Sequence, residues 1–495
     1  MFIHWSMDGQ LGVIISHSMA GASEDYLKRY VEELPRTFHP EKFNPRAWAR
    51  LAKVAGMKYV MFGTKHHSGF CMFDTATTNF SVMHTPFKRD VVAEVVKAFR
   101  EEGIAIGLYF SADDFHWLYK HGKMIDRRTE LMPLSQPELL TYSQAQLKEL
   151  LTNYGRVDLM FFDGQPKGLT DYVWKLAPDV VITSGGMKVT EQHIAGTPSP
   201  DPFEACFTMG QEWTYRPTNE YYKTGTQLIG MLIETRARGG NLLLNVGPTP
   251  DGEISMEEEN RLREMALWTF INGEAIYGVR PWVVTNEGNY WFTKKKDANT
   301  VYVSVREPWK YTEWKNLRVA SVRATAATKV SVLGQNDQLI EYRPQDDAKT
   351  TWKQEADGLH IRAVRAQRLY TRGFWPNPAV LKITNVQPAL TPPKVVTGEF
   401  KWDPATGAVT FEGELADMAG ATALEAGLEY RSLKGQDANE RTLPWIATPF
   451  ARRAARGPFS ATVKGLEAGE VYEYRAVVKH PLLLLYGEDK KAVLK

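Results

Sequence analysis

The chain has 495 residues, more than one hydrophobic core usually serves, so more than one domain is expected. Its 43% hydrophobic and 24% charged residues exclude a disordered or fibrous chain, and 60 basic against 58 acidic side chains, with no long run of one sign, leave no footprint for nucleic acid. No stretch approaches the ~20 consecutive apolar residues of a membrane span, and only two cysteines, Cys71 and Cys206, are present, which excludes a disulfide framework and reads as two free thiols.

The opening residues Met1-Phe2-Ile3-His4-Trp5 read as a strand, not as the charged start and apolar core of a secretion signal, and leave the compartment open. From there to about residue 280, short apolar runs alternate with amphipathic stretches, the pattern of repeated βα units around a parallel sheet. The runs are Phe2-Trp5, Tyr59-Gly63, Ile104-Phe110, Val157-Phe162, Val180-Thr183, Ala205-Thr208, Leu242-Val246 and Glu274-Tyr277. Eight runs predict a (β/α)8 barrel over residues 1–280, with its later units irregular.

Helix punctuation supports that reading. Asn44 is placed to cap a helix that Pro45 opens, Trp48, Leu51, Ala52 and Ala55 form its apolar face, and Gly56 ends it. Ser255 and Glu258 form a capping box before another helix, and Gly239-Gly240 closes the one preceding.

Beyond Arg280-Pro281 the texture becomes short β-rich segments such as Tyr290-Thr293, Val301-Val305, Val330-Val332 and Leu359-Val364, which predict a β-sandwich over 281–385. Residues 386–393, rich in proline, read as a stiff linker. A second all-β sandwich is expected over 394–495, where a turn at Glu467-Ala468-Gly469-Glu470 precedes a strand with Tyr472 near its start. That pattern resembles the tyrosine corner of fibronectin type III domains.

Reactive side chains of a barrel come from strand C-termini and the loops after them. Asp163 ends the run Val157-Phe162 and precedes Gly164, which puts a half-buried carboxylate at the sheet's mouth; the plain alternative is a helix cap or a structural ion pair. Lys65-His66-His67-Ser68-Gly69-Phe70 also follows a strand, so two imidazoles share that face. No further His or Cys stands at zinc-ligand spacing, so a metal is not expected, and neutral imidazole, with one donor and one acceptor, suits a polyhydroxylated ligand. Candidates for a second carboxylate are Asp201, Glu204 and Glu212, of which Glu204, between Phe203 and a strand, is the best placed.

Phe2-Ile3-His4-Trp5, Lys65-His66-His67-Ser68-Gly69-Phe70, Gly107-Leu108-Tyr109-Phe110-Ser111, Phe161-Phe162-Asp163-Gly164, Phe203-Glu204-Ala205-Cys206 and Gly239-Gly240-Asn241-Leu242-Leu243-Leu244-Asn245-Val246-Gly247-Pro248 together resemble glycoside hydrolase family 29, the α-L-fucosidases. The resemblance covers residues 1 to about 280 and, by position, the sandwich that follows. It implies a retaining exo-glycosidase that needs no cofactor, with Asp163 as nucleophile and Glu204 as acid/base. It implies sugar binding by His4, His66, His67 and Tyr109, with Trp213 lining the pocket. The implied partner is a fucosylated glycan or another L-sugar glycoside, and the implied compartment is periplasmic, secreted or lysosomal.

Departures from the family pattern bear on the sugar. Ile15-Ser16-His17-Ser18 stands where an acidic residue is usual, so His17 is the expected substitute, and Val181-Ile182-Thr183-Ser184-Gly185-Gly186 lacks the Arg often found after the fifth strand. Phe161 replaces a frequent Trp, and Ser68 an Asp. Losing charge-assisted hydrogen bonds worth ~1.5–3 kcal/mol each keeps α-L-galactosides and α-L-glucosides open beside α-L-fucosides. A catalytically inactive sugar-binding protein and a transferase are the readings of another class.

Overall fold

The computed structural model describes residues 1–194, 202–370, 375–433 and 445–494. The chain divides into two compact units, the first made of residues 1–194, 201–232 and 240–270, and the second of 195–200, 233–239 and 271–495.

Eight strands form the first unit's sheet: β1 Phe2–Ile3, β2 Tyr59–Lys65, β3 Ala105–Ser111, β4 Leu159–Asp163, β5 Val181–Ile182, β6 Lys188–Glu191, β7 Phe203–Thr208 and β8 Asn241–Val246. Their order is β5-β4-β3-β2-β1-β8-β7-β6, and every described ladder in it is parallel. Among the described residues no ladder joins β5 to β6, so the sheet curls into a barrel-like form with one seam. β2, β3 and β7 are buried along nearly their whole length, as strands of a parallel sheet flanked by helices should be.

Among the described residues eight α-helices lie between and after these strands, two each in the connections after β1 and β3: α1 Glu24–Glu32, α2 Pro45–Val54, α3 Val91–Glu101, α4 Phe115–Lys120, α5 Pro137–Asn153, α6 Thr170–Leu176, α7 Gly225–Ala237 and α8 Met256–Asn272. Asn44 caps α2 by accepting from Ala47 N–H, and Trp48, Leu51 and Ala52 are buried. Helix α3 carries four valines despite their modest helix propensity. Asp90 caps it, and Val91, Val92, Val95 and Val96 are all buried, so packing overrides the intrinsic preference.

One strand differs from expectation. Glu274–Tyr277 adds no strand, because Gly273–Ala275 is a 3-10 turn after α8. The remaining strand is instead β6, whose sequence Lys-Val-Thr-Glu has no apolar run and only one fully buried residue, Thr190. A short half-exposed strand leaves little hydrophobic signal to read.

Among its described residues the second unit contains four antiparallel sheets. A five-stranded sheet runs Val322–Val332, Ala379–Pro388, Thr300–Val305, Tyr290–Lys295, Val279–Glu287, and a three-stranded one Trp314–Val319, Gly358–Val364, Thr351–Glu355. They share a core that includes Trp282, Phe292, Leu317 and Ile361. A further three-stranded sheet runs Lys394–Asp403, Ala408–Asp417, Gly457–Lys464, beside one built on Leu424–Ser432 and Val471–His480, with Phe411, Leu428 and Tyr474 in their core. Two expected borders move. The boundary at 280/281 falls inside the strand Val279–Glu287, and the linker 386–393 begins as strand, since Val386 is buried and Val322 pairs with Pro388. Proline at a strand's last position is tolerated, which is why composition alone misplaced the linker.

Candidate active site

The barrel interior holds an apolar layer of Phe2, Met61, Tyr109, Phe161, Cys206 and Leu243, with Val189 packed against it. Side chains two apart on a strand share a face. Asp163 therefore stands one step beyond Phe161 on β4, toward the mouth, and Glu191 one step beyond Val189 on β6. Glu204 lies one step before Cys206 on β7, toward the floor.

Four imidazoles gather at the mouth. The ring of His66 lies 4.1 Å from that of His67 and 5.7 Å from His4, and His17 is 5.2 Å from His67. Tyr109 stacks on His66 at 5.4 Å, and Trp213 packs 5.0 Å from His4. The structure thus brings His4, His17, His66, His67, Tyr109 and Trp213 together around one space, with Asp163 among them.

Each ring is held by a partner. His4 Nδ1 lies 2.8 Å from Asn245 Oδ1, and Asn245 Nδ2 donates to Trp213 O. That second bond orients the amide, so His4 Nδ1 is the donor and Nε2 is left as an acceptor. His67 Nδ1 lies 2.5 Å from Ser111 Oγ, and His66 Nδ1 lies 2.9 Å from Ser16 Oγ. Ser16 has a left-handed backbone, φ 62°, and its N–H donates to the buried Asp8 Oδ2 at 2.6 Å. Burial holds His4 down to about 4, opposed by Asn245 and Asp163, and drives His66 and His67 well below the ordinary range. All three rings are neutral at physiological pH.

The histidine loop is clamped from behind. Lys65 and Asp114 form a fully buried ion pair at 3.1 Å, and Asp114 caps α4 by accepting from Trp117 N–H. Phe115 and His116, the first residues of α4, donate their N–H groups to His67 O and Ser68 O. Gly69 has φ +83°, and a Cβ there would meet Asp114 Oδ1 at 2.2 Å, so only glycine fits.

Asp163 uses both oxygens. Tyr109 OH donates to Oδ2 at 2.8 Å, Arg127 donates to Oδ1 at 3.2 Å, and His67 Nε2 lies 3.5 Å from Oδ2. Burial pushes its pKa up, but Arg127, His66, the Tyr109 hydrogen bond and His4 together outweigh it, so the carboxyl stays below its ordinary range. Asp163 is an anion poised at the mouth.

Glu204 lies toward the other end of the sheet. It is 1% exposed, accepts from Tyr59 OH at 2.5 Å, and its pKa is raised by burial. Tyr59 opens β2, and Glu204 stands four residues before Thr208, which pairs with Asn245 at the level of His4. Four residues of strand span ~13 Å. Asp163 stands on the mouth side of the apolar layer and Glu204 on its floor side. Glu212 sits on the loop after β7, half-buried and 3.8 Å from Arg216. Asp201 lies outside the described residues.

Several residues of the site were not found from sequence. Arg127 and Asp113 lie in irregular loops where no period marks them. Asn245 stands next to last in an apolar strand, a signal close to that of Asp163, and Glu191 ends β6, which has no apolar run. The stretch after the fifth strand carries no Arg, and a guanidinium reaches Asp163 instead from Arg127, in the chain beyond α4. His66, His67 and Asp163 each bring one ligand atom within 4.8 Å of the others, a set that a divalent ion could use.

A family model described as α-L-fucosidase matches residues 1–274. The tissue α-L-fucosidase of Bos taurus is 33% identical over 334 residues, 62% of this chain and 69% of its own. The plasma α-L-fucosidase of Rattus norvegicus is 31% identical over 304 residues, 55% of this chain. The match spans 64% of that relative, just under two thirds of its length. The solved structure of α-L-fucosidase isoenzyme 1 from Paenibacillus thiaminolyticus superposes with a TM-score of 0.62 at 28% identity, covering 78% of this chain and 96% of its own. With its strand-end carboxylate, its gathered imidazoles and a family match over more than half its length, the chain belongs to the α-L-fucosidase family.

Proposed function

We propose that this chain is a retaining exo-glycosidase that releases terminal α-L-fucose from glycans, with Asp163 as nucleophile and Glu191 as acid/base. The observation that carries it is that each of these carboxylates is the last residue of its strand, Asp163 on β4 and Glu191 on β6, at the end of the parallel sheet where reactive side chains of a barrel lie. Asp163 attacks the anomeric carbon as the glycosidic C–O bond breaks, and Glu191 gives its proton to the departing oxygen. Glu191 then takes a proton from water, which displaces Asp163 and frees the sugar. His4, whose Nε2 accepts, together with His66, His67 and His17, offers hydrogen bonds to hydroxyls, and Trp213 and Tyr109 supply apolar faces.

The family match and the named relatives support an α-L-fucoside over the related L-sugars. The barrel unit is read as catalytic and the β-rich remainder as accessory. For residues 394–495 a fibronectin type III-like fold is supported by Glu467 N–H donating to Tyr472 OH at 3.1 Å, the hydrogen bond of a tyrosine corner.

The test is Asp163→Gly assayed on an aryl α-L-fucoside with and without azide. Activity should vanish and return with azide as a glycosyl azide of inverted configuration. Retained activity without azide would remove Asp163 from the reaction.

A further inference from the structure

Asp163 is one of two carboxylates that share a guanidinium. Arg127 Nε donates to Asp113 Oδ2 at 2.6 Å, while a terminal nitrogen of the same side chain donates to Asp163 Oδ1 at 3.2 Å. Asp113 is 2% exposed and stands two residues beyond Ser111, which pairs with Asp163 in the ladder between β3 and β4. Its neighbours fix it: Asp113 N–H donates to Ser111 Oγ at 3.1 Å, and His67 Nδ1 lies 3.3 Å from Oδ2. A Cβ on Gly164, directly after the nucleophile, would meet Asp113 Oδ1 at 2.8 Å, so the second carboxylate lies against the turn that follows Asp163.

We propose that Arg127 and Asp113 are a positioning pair for the nucleophile: Asp113 aims Arg127, and Arg127 fixes Asp163 Oδ1 and keeps the carboxyl ionised. The proposal rests on Asp163 being the nucleophile. Its physical point is charge balance through the reaction. Before attack the guanidinium faces two carboxylates. When Asp163 forms its ester bond with the anomeric carbon its charge is consumed, and Asp113 remains to neutralise Arg127. Without Asp113 the covalent intermediate would leave a guanidinium uncompensated in a largely buried site, which is costly. Arg127 is 19% exposed at its side chain, so water screens it little.

Groups that act on Asp163 include His4 just after β1, His66 and His67 after β2, Tyr109 from β3, Cys206 from β7, and Arg127 and Asp113 themselves. Lys65 also acts on Asp113. Burial pushes Asp113 up to about 6, and Arg127 opposes that rise. The three imidazoles are neutral, so Arg127 is the one full positive charge in this set that touches Asp163.

The experiment measures kcat and KM on an aryl α-L-fucoside against pH for wild type, Arg127→Lys, Arg127→Gln, Asp113→Asn and Arg127→Gly, the last with and without non-denaturing guanidinium chloride. Arg127→Gln should lower kcat about 10²-fold, the scale of a misplaced reacting group, and move the acidic limb of kcat/KM upward. Arg127→Lys should recover part of kcat, and guanidinium should restore activity to Arg127→Gly but not to Asp163→Gly. Asp113→Asn, which frees the guanidinium that Asp113 aims, should lower kcat and move the acidic limb upward, both by less than Arg127→Gln does. A change in KM alone for Arg127→Gln, with kcat and the acidic limb unmoved, would overturn the proposal and make Arg127 a substrate contact. If Asp163→Gly stays active, the nucleophile reading fails instead, which the Arg127 series does not decide.

Discussion

Asp163 at the mouth of the barrel and Glu204 near its floor are both inward-facing carboxylates, and the protein drives their acidities in opposite directions. Burial raises both. At the mouth, Arg127, Tyr109 and the imidazoles overcome it. At the floor, a Tyr59 hydrogen bond does not. The difference is one of partners and not of depth alone: a buried carboxylate becomes reactive where cationic and hydrogen-bonding groups converge on its ionised form.

The largest expected effect sets Glu191 against Glu204. Glu191→Ala should lose about 10²–10⁴-fold on substrates with poor leaving groups and far less on activated aryl fucosides, because only the former need the proton. Glu204→Gln, which keeps the shape and an acceptor for Tyr59, should stay within about threefold of wild type on both, since it touches no reacting group. A leaving-group-dependent loss at Glu204 and none at Glu191 would exchange their roles and break the comparison.

A second test reads the two carboxylates through stability. The folded pKa of Asp163 lies below its ordinary 3.8, so its contribution to stability is present above that value and lost as pH falls through the folded pKa. Glu204 is raised above 4.5, so its contribution is present below that value and lost as pH rises through the folded pKa. Urea titrations across pH should therefore show Glu204→Gln gaining on wild type as pH rises beyond about 4.5, and Asp163→Asn gaining as pH falls below about 3.8. Parallel pH trends for the two variants would mean that their environments do not differ.

The smallest effect concerns the metal-like set at the mouth. Chelator should leave kcat unchanged, whereas added zinc should compete with substrate through His66, His67 and Asp163. Loss of activity on chelation, restored by metal, would require a different mechanism.

Much of this was legible in the sequence where hydrophobic period and function coincide. Asp163 and the His66-His67 pair follow long buried strands, whose apolar runs announce them and fix which end is the mouth. Glu191 follows a four-residue strand with one fully buried position, and its neighbour Gln192 has a positive φ, so no run announced it. Glu204 precedes the apolar run Ala205-Thr208 and is the second residue of β7, so it stands at the start of its strand and not at the end that faces the mouth. Arg127 and Asp113 act across 36 and 50 residues of chain through loops without periodicity, and only the folded chain joins them to Asp163.

Ser16 offers a lesson in how such a site constrains the protein's evolution. A serine at φ 62° sits where glycine would rest more easily, so Ser16→Gly should stabilise the fold by up to about 1 kcal/mol. The same change removes the hydroxyl that orients His66, so kcat/KM should fall as the melting temperature rises. A sequence shaped for durability alone would favour glycine here, and serine keeps the hydroxyl that His66 uses.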